Sequence, residues 1–463
     1  MKIINPATGQ VLKELEDDTP ATVGAKIARA RAAQPAWAAL PLGDRLAAIA
    51  KFRDLVGENK DYLARLLTHE MGKPISQARN ELAALPGRID FFLQKTAAVL
   101  TDEVVLQEGD DGAPSLQEIV AHEPLGVVAN VSAWNYPYFV GSNVFVPALL
   151  AGNAVLYKAS ELTTLTGQRI VELLHQAGVP VDVMIAVVGG GAMGAALVAG
   201  PIDGVFFTGS YATGRRIADA VAGRMLKVQL ELGGKDPTYV CDDVNVNAAA
   251  ESLADGAMYN NGQSCCSVER IYVQRRIYPA FVEAFAAVVR GFVTGDPMDD
   301  KTYIGPLARR EQLAVLEAQV ADAVGKGGRI VVGGKRVQPG GNVFEPTVVA
   351  DATNAMSLMR EESFGPVIGI APVDDDDEAV RLMNDTDYGL TAGVYSVDRA
   401  RAHAVLARVD AGSVYWNCCD RVSPRLPWTG RRHSGMGSTL STDGIRAFVR
   451  PKAWHLRRPP IAS

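Results

Sequence analysis

Long apolar runs, a basic excess and a signal-peptide pattern are all missing from this 463-residue sequence. No run of about 18 or more apolar residues is present, and residues 1–6 lack the apolar core of a signal peptide. The 46 basic and 52 acidic residues leave a net charge of −6, which offers no footprint for nucleic acid. We therefore expect a cytoplasmic protein that binds neither a membrane nor nucleic acid.

Cysteine and histidine are too few and too scattered for a disulfide framework or a metal site. The five cysteines are Cys241 and the adjacent pairs Cys265-Cys266 and Cys418-Cys419. Adjacent cysteines bridge each other only with strain, so we expect reduced thiols. The six histidines show none of the spacings that bind zinc, and we expect no metal.

The composition, 48% hydrophobic and 21% charged, is that of a globular protein. At about 150 residues per domain, its length predicts two or three domains with a cleft between them. The first hundred residues are alanine-rich and helical in period, and we expect helix breaks at Pro35, 41–43, 72–74 and 86–87.

A hairpin is predicted after these helices. Residues 103–107 and 115–121 alternate like strands around a glycine-rich turn at 109–112. Residues 447–457 read as a last strand that pairs with this hairpin. Such a hairpin serves either as an oligomer contact or as an ordinary surface feature.

Two stretches alternate apolar, strand-like runs with helical patterns, which predicts parallel sheets covered on both faces. In the first stretch, the strands are 126–131, 154–157, 183–188, 204–207, 228–230 and 238–241, and the helices are 163–177, 192–199, 213–221 and 248–260. In the second, the strands are 271–274, 329–332, 347–349, 367–370 and 413–416, and the helices are 279–289, 309–325, 376–384 and 400–409. The first stretch is typical of a doubly wound nucleotide-binding domain.

Two glycine-containing segments are candidates for a dinucleotide contact. Residues 189–194 match G-x-G-x-x-G, but the following strand ends without the acid that would hold a ribose, which favours a plain strand-to-helix turn. Lys158 and Glu161 suit the ribose hydroxyls better, and the Glu161 carboxylate repels a 2′-phosphate, which favours NAD over NADP. Gly209 and Ser210 open a helix whose N-terminus suits a pyrophosphate.

Cys265 and Cys266 follow an Asn-Asn-Gly turn and precede a predicted strand. A thiol displayed at such a boundary is either a nucleophile or a small buried side chain. Glu231 ends one strand and is suited to act as a general base, while Asn135 follows another and can donate to an oxyanion.

Six motifs resemble those of the aldehyde dehydrogenase superfamily, in its order and over nearly the whole chain. They are Ala-Trp-Asn-Tyr-Pro (133–137), Lys-Ala-Ser-Glu (158–161), Phe-Thr-Gly-Ser-x-x-x-Gly (207–214), Glu-Leu-Gly-Gly-Lys (231–235), Asn-x-Gly-Gln-x-Cys (260–265) and Glu-Glu-Ser-Phe-Gly-Pro-Val (361–367). The resemblance implies a Rossmann-like cofactor domain (1–105 and 125–231), an α/β catalytic domain (232–437) and a β oligomerisation element (106–124 and 438–463). It also implies a homodimer or homotetramer.

The resemblance assigns a role to each candidate. Cys265, which stands three residues after the motif glycine, resembles the nucleophile rather than Cys266; Glu231 resembles the base and Asn135 the oxyanion donor. The implied cofactor is NAD, with NADP possible. Its implied contacts are Lys158, Glu161, Gly209, Ser210, Glu362, Phe364 and Trp134. The family binds its dinucleotide without the usual fingerprint, which further disfavours 189–194.

Departures from the family pattern fall near the expected substrate entrance. Ala159 stands where the family has proline, and the late Pro-Phe-Gly-Gly run is changed at 427–435. The expected substrate pocket contains Tyr136, Ser264, Cys266, Trp428 and Arg421. Arg421 and Arg425 are suited either to anchor a substrate carboxylate, as in a semialdehyde, or to lie solvated in a loop.

Three hypotheses follow from the resemblance. The leading one is oxidation of an aldehyde to the acid through a Cys265 thiohemiacetal and thioester, with a semialdehyde-specific variant. A CoA-acylating enzyme is disfavoured because that branch generally lacks the glutamate that matches Glu231. A catalytically idle protein of the same fold would need a broken constellation, whereas Cys265, Glu231 and Asn135 are all present.

Overall fold

The framework of the protein is a pair of largely parallel sheets. The computed structural model describes residues 1–110, 114–338 and 340–459. The strands of this part are β1 (Lys2–Ile4), β2 (Val11–Glu14), β3 (Glu103–Glu108), β4 (Leu116–Pro124), β5 (Val127–Val131), β6 (Ala154–Lys158), β7 (Met184–Ala186), β8 (Gly204–Thr208), β9 (Lys227–Glu231), β10 (Pro237–Val240), β11 (Arg270–Gln274), β12 (Arg329–Val332), β13 (Thr347–Ala350), β14 (Val367–Val373), β15 (Thr391–Tyr395), β16 (Ser413–Trp416), β17 (Gly435–Met436) and β18 (Val449–Arg457).

The helices cover the faces of these sheets. They are α1 (Pro20–Ala39), α2 (Leu42–Glu58), α3 (Lys60–Met71), α4 (Ile75–Leu100), α5 (Pro137–Leu150), α6 (Thr164–Ala177), α7 (Gly191–Ala199), α8 (Tyr211–Val221), α9 (Val246–Met258), α10 (Tyr278–Arg290), α11 (Glu311–Gly325), α12 (Asp376–Asn384), α13 (Arg399–Leu406) and α14 (Ser441–Arg446). Within the described ranges, no helix is both long enough and apolar enough to cross a membrane.

The first sheet has the strand order β17-β9-β8-β5-β6-β7, and only β17 runs antiparallel. Its central strands are buried on both faces, as their continuous apolar pattern predicts. In the register, Val131 lies opposite Lys158 and Thr208 lies opposite Glu231. The side chains that follow these strands therefore gather at one carboxyl edge.

The second sheet has the order β12-β13-β14-β11-β10-β15-β16, and only β12 runs antiparallel. The predicted α/β class with parallel sheets is thus confirmed. The chain passes from β9 in the first sheet to β10 in the second through residues 232–236, which include the Leu-Gly-Gly-Lys motif. This crossing brings the carboxyl edge of the first sheet against the second.

The predicted hairpin and tail form a separate antiparallel sheet in the order β18-β4-β3. Val449 pairs with Pro124 at one end and Arg457 with Leu116 at the other, which confirms the pairing of the last strand with the hairpin. Part of the predicted turn at 109–112 and the last residues of the 438–463 element lie outside the described residues.

Several local predictions were wrong or incomplete, and β1, β2, β17 and α14 were not predicted. Pro35 and Pro86 lie inside α1 and α4 rather than at breaks, because burial of the flanking apolar side chains outweighs the lost backbone hydrogen bond. α5 was not predicted, since it is buried on nearly all sides and its sequence lacks an amphipathic period. β15 was also missed.

Candidate active site

A cavity of about 720 Å³ lies along the carboxyl edge of the first sheet. Its wall brings together Cys265, Asn135 and all seven predicted cofactor contacts, which come from widely separated parts of the chain. The predicted residues on this wall are Trp134, Asn135, Lys158, Glu161, Gly209, Ser210, Cys265, Glu362 and Phe364. The cavity is open enough to admit an extended ligand from solvent to the thiol.

Lys158 and Glu161 line one end of this cavity. Lys158 is the last residue of β6 and is almost fully buried, whereas Glu161 is exposed on the following turn. Burial lowers the pKa of Lys158, and the charge of Glu161 opposes that effect. Gly194 lies against the Lys158 stem, so the glycine-rich segment contributes a wall to the cavity.

The N-terminus of α8 faces the middle of the cavity. Ser210 is its N-cap and accepts a hydrogen bond from the backbone N–H of Thr213 at 3.4 Å. The first backbone N–H groups of a helix lack intrahelical partners and carry its positive dipole end, which suits an anionic ligand group such as a pyrophosphate.

Glu362 and Phe364 close the cavity from the second sheet. The backbone N–H of Gly234 donates to Glu362 Oε1 at 3.0 Å. A Cβ on Gly233 would lie 2.4 Å from Glu362 Oε2, so a larger residue there would displace the Glu362 carboxylate. Burial raises the pKa of Glu362 to about 8, with a further contribution from Glu269. The Phe364 ring packs edge-on against Trp134, with centroids 5.4 Å apart.

A buried ion pair that the sequence did not predict holds this closing segment. Lys235 Nζ lies 2.5 Å from Glu269 Oε2, and both side chains are almost completely buried. Glu269 accepts the backbone N–H groups of Ser363 at 3.0 Å and Phe364 at 3.1 Å. The available signal was the charged residue directly before β11, which an ordinary buried strand would not favour.

The turn before Cys265 explains how its thiol is displayed. Asn260 and Asn261 both have left-handed backbones, with φ of 55° and 58°. Asn260 Nδ2 donates to the carbonyls of Asn135 at 3.1 Å and Gln263 at 2.9 Å. Asn135 Nδ2 donates to the same Gln263 carbonyl at 3.2 Å, so its amide lies beside the segment that carries the thiol.

The two neighbouring cysteines have different surroundings. Cys265 is half-buried and lines the cavity, whereas Cys266 is buried and its thiol donates to Asp420 Oδ1 at 2.8 Å. A hydrogen bond with Cys265, burial and the Asp420 carboxylate all raise the pKa of Cys266 well above its usual value. The buried Ser264 places its Oγ 3.5 Å from Cys266 Sγ. Cys265 is therefore the thiol that meets the cavity.

Glu231 is buried next to the cavity, between two threonines. Its carboxylate accepts hydrogen bonds from the hydroxyls of Thr439 and Thr208, the latter at 3.2 Å. Burial raises the pKa of Glu231 to about 6, although both threonines and the charge of Arg88 act in the opposite direction. Among the described residues, its hydrogen-bond partners do not include Cys265.

Residues 1–454 match the aldehyde dehydrogenase family. The protein belongs to this family. It is 35% identical over 461 residues to the betaine aldehyde dehydrogenase of Cereibacter sphaeroides, covering 99% of this chain and 94% of that one. Its fold matches an NADP-dependent enzyme of Escherichia coli with a TM-score of 0.95 and 32% identity, covering 99% and 94% of the two chains. An NAD-dependent aldehyde dehydrogenase of Sinorhizobium meliloti matches with a TM-score of 0.94 and 31% identity, covering 100% and 93%.

The family membership establishes the activity as oxidation of an aldehyde with NAD or NADP as the acceptor. The residues that line the cavity fit such a dinucleotide. Its wall contains the N-terminus of α8, the buried Lys158 and the Glu362 carboxylate, which packs against Gly233. Within the described ranges, no group of three or more His, Cys, Asp or Glu side chains is placed to hold a metal ion.

The residues that follow Asn135 in the chain present aromatic rings next to buried charges. Tyr136 and Phe139 stack with centroids 6.1 Å apart, and Lys73 Nζ lies 3.7 Å from the Tyr136 centroid. We call this group, with Arg88, the substrate-side cluster. Lys73 and Arg88 were not predicted at the site: Lys73 falls in the 72–74 stretch predicted as a helix break and Arg88 directly follows the one at 86–87, and neither pattern indicates a role in binding.

The other predicted pocket residues lie in different surroundings. Trp428 is buried in the core and exchanges backbone hydrogen bonds with Thr439, so it holds the threonine that binds Glu231. Arg421 and Arg425 are exposed on the loop after β16. A carboxylate bound by these exposed arginines would be screened by water and salt, so the contact would be weak.

Proposed function

We propose that the enzyme oxidises its aldehyde by a hydrolytic route in which Cys265 is the nucleophile, Asn135 the oxyanion donor and Glu231 the base. The observation that carries this proposal is the shared wall of the cavity, where the half-buried Cys265 thiol and Asn135 meet the predicted cofactor contacts. A carbonyl carbon attached to Cys265 would stand at the end of that wall.

Attack by the Cys265 thiolate on the aldehyde gives a tetrahedral thiohemiacetal with a negative oxygen. The Asn135 amide and the Cys265 backbone N–H are the groups that stabilise this oxygen, since the Asn135 amide already lies against the backbone two residues before the thiol. A dinucleotide held along the cavity wall would supply the hydride acceptor, and loss of hydride from the carbon would leave a thioester on Cys265.

Hydrolysis of that thioester is the step in which Glu231 acts. Its carboxylate is buried and held by Thr439 and Thr208, and its pKa of about 6 leaves it ionised at neutral pH but still basic enough to take a proton from water. Its hydrogen bonds point to the threonines rather than to Cys265, which supports a role on the attacking water. The product is the free carboxylic acid.

The decisive experiment supplies a panel of aldehydes with NAD or NADP and identifies the products. NADH formation should accompany the free acid, even when CoA is present, and Cys265→Ser should lower the rate by about 10⁴-fold or more. Cys266→Ser is the matched control, and we expect it to stay within about tenfold of the wild type. An acyl-CoA product, or equal losses in both variants, would contradict the hydrolytic route through Cys265.

A cationic substrate such as betaine aldehyde, the substrate named for a relative, is disfavoured in this chain. The substrate-side cluster contains the buried Arg88, which has no carboxylate partner among the described residues, and Lys73, whose charge is paired with Glu81. Bringing a quaternary ammonium group beside buried positive charge costs free energy, because like charges in a low-dielectric site repel strongly. The panel should show poor turnover of betaine aldehyde relative to uncharged aldehydes.

The β18-β4-β3 sheet supports a homodimer or homotetramer. Its strands expose several large apolar side chains: Val104, Val105, Leu106, Trp454 and Leu456. An apolar, open-edged sheet of this kind favours pairing with a second copy. Light scattering of the purified protein tests this, and a monomer would contradict it.

The proposed chemistry requires a reduced Cys265 thiol. The cysteines of the described residues are free, and the reducing cytoplasm would keep them so.

A further inference from the structure

Arg88 is a buried cation without a carboxylate partner. Its side chain is only 6% exposed. Nη1 donates to Asn143 Oδ1 at 2.8 Å, while Nη2 reaches the Val422 carbonyl only at 3.5 Å, the outer limit of a hydrogen bond. Among the described residues, Arg88 forms no ion pair. A guanidinium has five N–H donors, so most of its capacity is unused.

The buried arginines of the described residues differ in how they are paired: Arg45 makes one hydrogen bond, of 3.3 Å to the Ala38 carbonyl, and resembles Arg88, whereas Arg270 is fully paired. Arg270 is fully buried and donates to the carbonyls of Lys235 and Met383 at 2.8 and 2.9 Å, with further bonds to Tyr272 and Leu382 at 3.1 Å. Its hydrogen bonds account for a structural role. Those of Arg88 do not, and leaving a buried charge unpaired is costly.

Arg88 packs against the second of two stacked rings that follow Asn135 in the chain. Tyr136 follows Asn135 in the chain and stacks on Phe139, and the Arg88 guanidinium lies 4.3 Å from the Phe139 centroid. The carboxylates that act on its charge are Glu231 and Glu81, and the Cys266 thiol also lies within range of it. Arg88 therefore stands on the substrate side, near both the base and the neighbour of the nucleophile.

We propose that Arg88 binds a carboxylate at the far end of the aldehyde, so that the substrate class is an ω-oxo acid. Two free N–H groups of a guanidinium match a carboxylate in a planar, bidentate arrangement. The aldehyde carbon at Cys265 and the carboxylate at Arg88 would then fix both ends of the substrate along the Tyr136 and Phe139 rings. This assignment rests on the proposed function, and it moves the anchor from the exposed Arg421 and Arg425 to a buried site.

The test compares an ω-oxo acid with the n-alkanal of equal chain length, for wild type and Arg88→Met. The wild type should prefer the ω-oxo acid. Arg88→Met should lower kcat/KM for the ω-oxo acid by about 100-fold, mainly through KM, and leave the alkanal within about threefold. Arg88→Lys should restore part of the loss. Arg45→Met removes a buried arginine in α2, away from this cluster, and should leave the preference unchanged.

An alternative role for Arg88 is to lower the pKa of Glu231, and the same variants separate the two roles. If Arg88→Met slows the oxidation of both aldehydes equally and shifts the acidic limb of the pH profile to higher pH, Arg88 is a positioning residue and the carboxylate site is overturned. A wild-type preference for the alkanal overturns it as well. Thermal unfolding and NADH-fluorescence titration establish that each variant is folded and binds cofactor.

A binding experiment keeps this inference separate from the proposed chemistry. The α,ω-dicarboxylate product of an ω-oxo acid should protect Cys265 from alkylation in the wild type but not in Arg88→Met. The matched monocarboxylate should protect both proteins equally. Equal protection of both proteins by the dicarboxylate overturns the Arg88 site even if aldehyde oxidation is intact. Conversely, selective protection without any aldehyde oxidation supports the site and contradicts the proposed function.

Discussion

Two buried lysine–glutamate pairs hold segments of the proposed site, one beside the cavity and one beside the substrate-side cluster. Lys235 and Glu269 lie 2.5 Å apart, and Lys73 and Glu81 lie 2.6 Å apart. Each glutamate also accepts two backbone N–H groups from a segment of the site. Glu269 holds residues 363 and 364, next to the cofactor contact Glu362, and Glu81 holds residues 138 and 139, next to Asn135 and Tyr136.

The two lysines differ in what else they contact. Lys235 also donates to Ser363 Oγ at 3.0 Å, so both members of its pair hold the same loop. Lys73 instead lies over the Tyr136 ring, a contact that stabilises an aromatic wall through its charge. Burial lowers the pKa of both lysines, and the charge of the partner glutamate opposes this in each case.

The difference indicates how a shared fold accommodates different aldehydes. The cofactor wall is built from strand ends, a helix N-terminus and glycines, which tolerate little change because the backbone itself makes the cavity. The substrate side is built from side chains on α4 and α5, such as Arg88 and Phe139, whose replacement leaves the sheet intact. Catalysis requires both walls to hold their groups in place. A change of substrate requires different side chains on the substrate side only.

The largest effect within this comparison is expected on the substrate side. Asn135→Ala should lower kcat by about 10²–10³-fold, because one oxyanion donor is lost. Its NADH affinity, measured by fluorescence titration, should remain close to that of the wild type. Full activity in this variant would remove Asn135 from the oxyanion site.

A smaller loss is expected from Glu231→Gln, about 10²-fold in kcat, because base catalysis of thioester hydrolysis is removed. The wild-type kcat should fall as the pH is lowered through about 6, since burial raises the pKa of Glu231 to about 6 and only the ionised carboxylate accepts a proton. The variant should lose this limb. If the acidic limb of the kcat profile persists unchanged in Glu231→Gln, the limb reflects the ionisation of another group.

The two ion pairs provide a matched test of the two sides. Glu269→Gln should raise the KM for the cofactor by about tenfold, and Glu81→Gln should raise the KM for the aldehyde by a similar factor. Breaking a buried pair costs about 3–5 kcal/mol of unfolding free energy, so both variants should also be less stable. Steady-state kinetics with each substrate varied in turn checks the result. A rise in the aldehyde KM in Glu269→Gln, or in the cofactor KM in Glu81→Gln, would refute the assignment of the two pairs to the two sides.

The smallest effect is expected at Glu161. This carboxylate is exposed, so Glu161→Gln should raise the KM for NAD only about threefold. The KM for NADP should fall at the same time, because the variant no longer repels a 2′-phosphate. Parallel titrations with NAD and NADP measure the ratio. An unchanged ratio would show that Glu161 does not select the cofactor.

Much of the cofactor wall could be predicted from local sequence. Lys158 and Ser210 lie at or just after the ends of recognisable strands, and the carboxyl ends of parallel strands must meet at one edge, whereas Glu362 precedes β14 of the other sheet. The helix start at Asp375 and Asp376 was likewise readable, because acidic residues suit a helix N-terminus. α5 was not readable, since complete burial leaves no amphipathic pattern.

The sequence by itself therefore determined the sheets, the family and the residues with reactive groups, because these depend on short patterns and on spacing along the chain. Only the tertiary structure decided the surroundings of the two thiols, since Asp420 engages Cys266 from 154 residues away. It also decided the environment of Glu231, whose Thr439 partner is 208 residues distant, and left Arg88 buried without a carboxylate. Burial and charge pairing are set by such long-range neighbours, and they control which groups are free to react or bind.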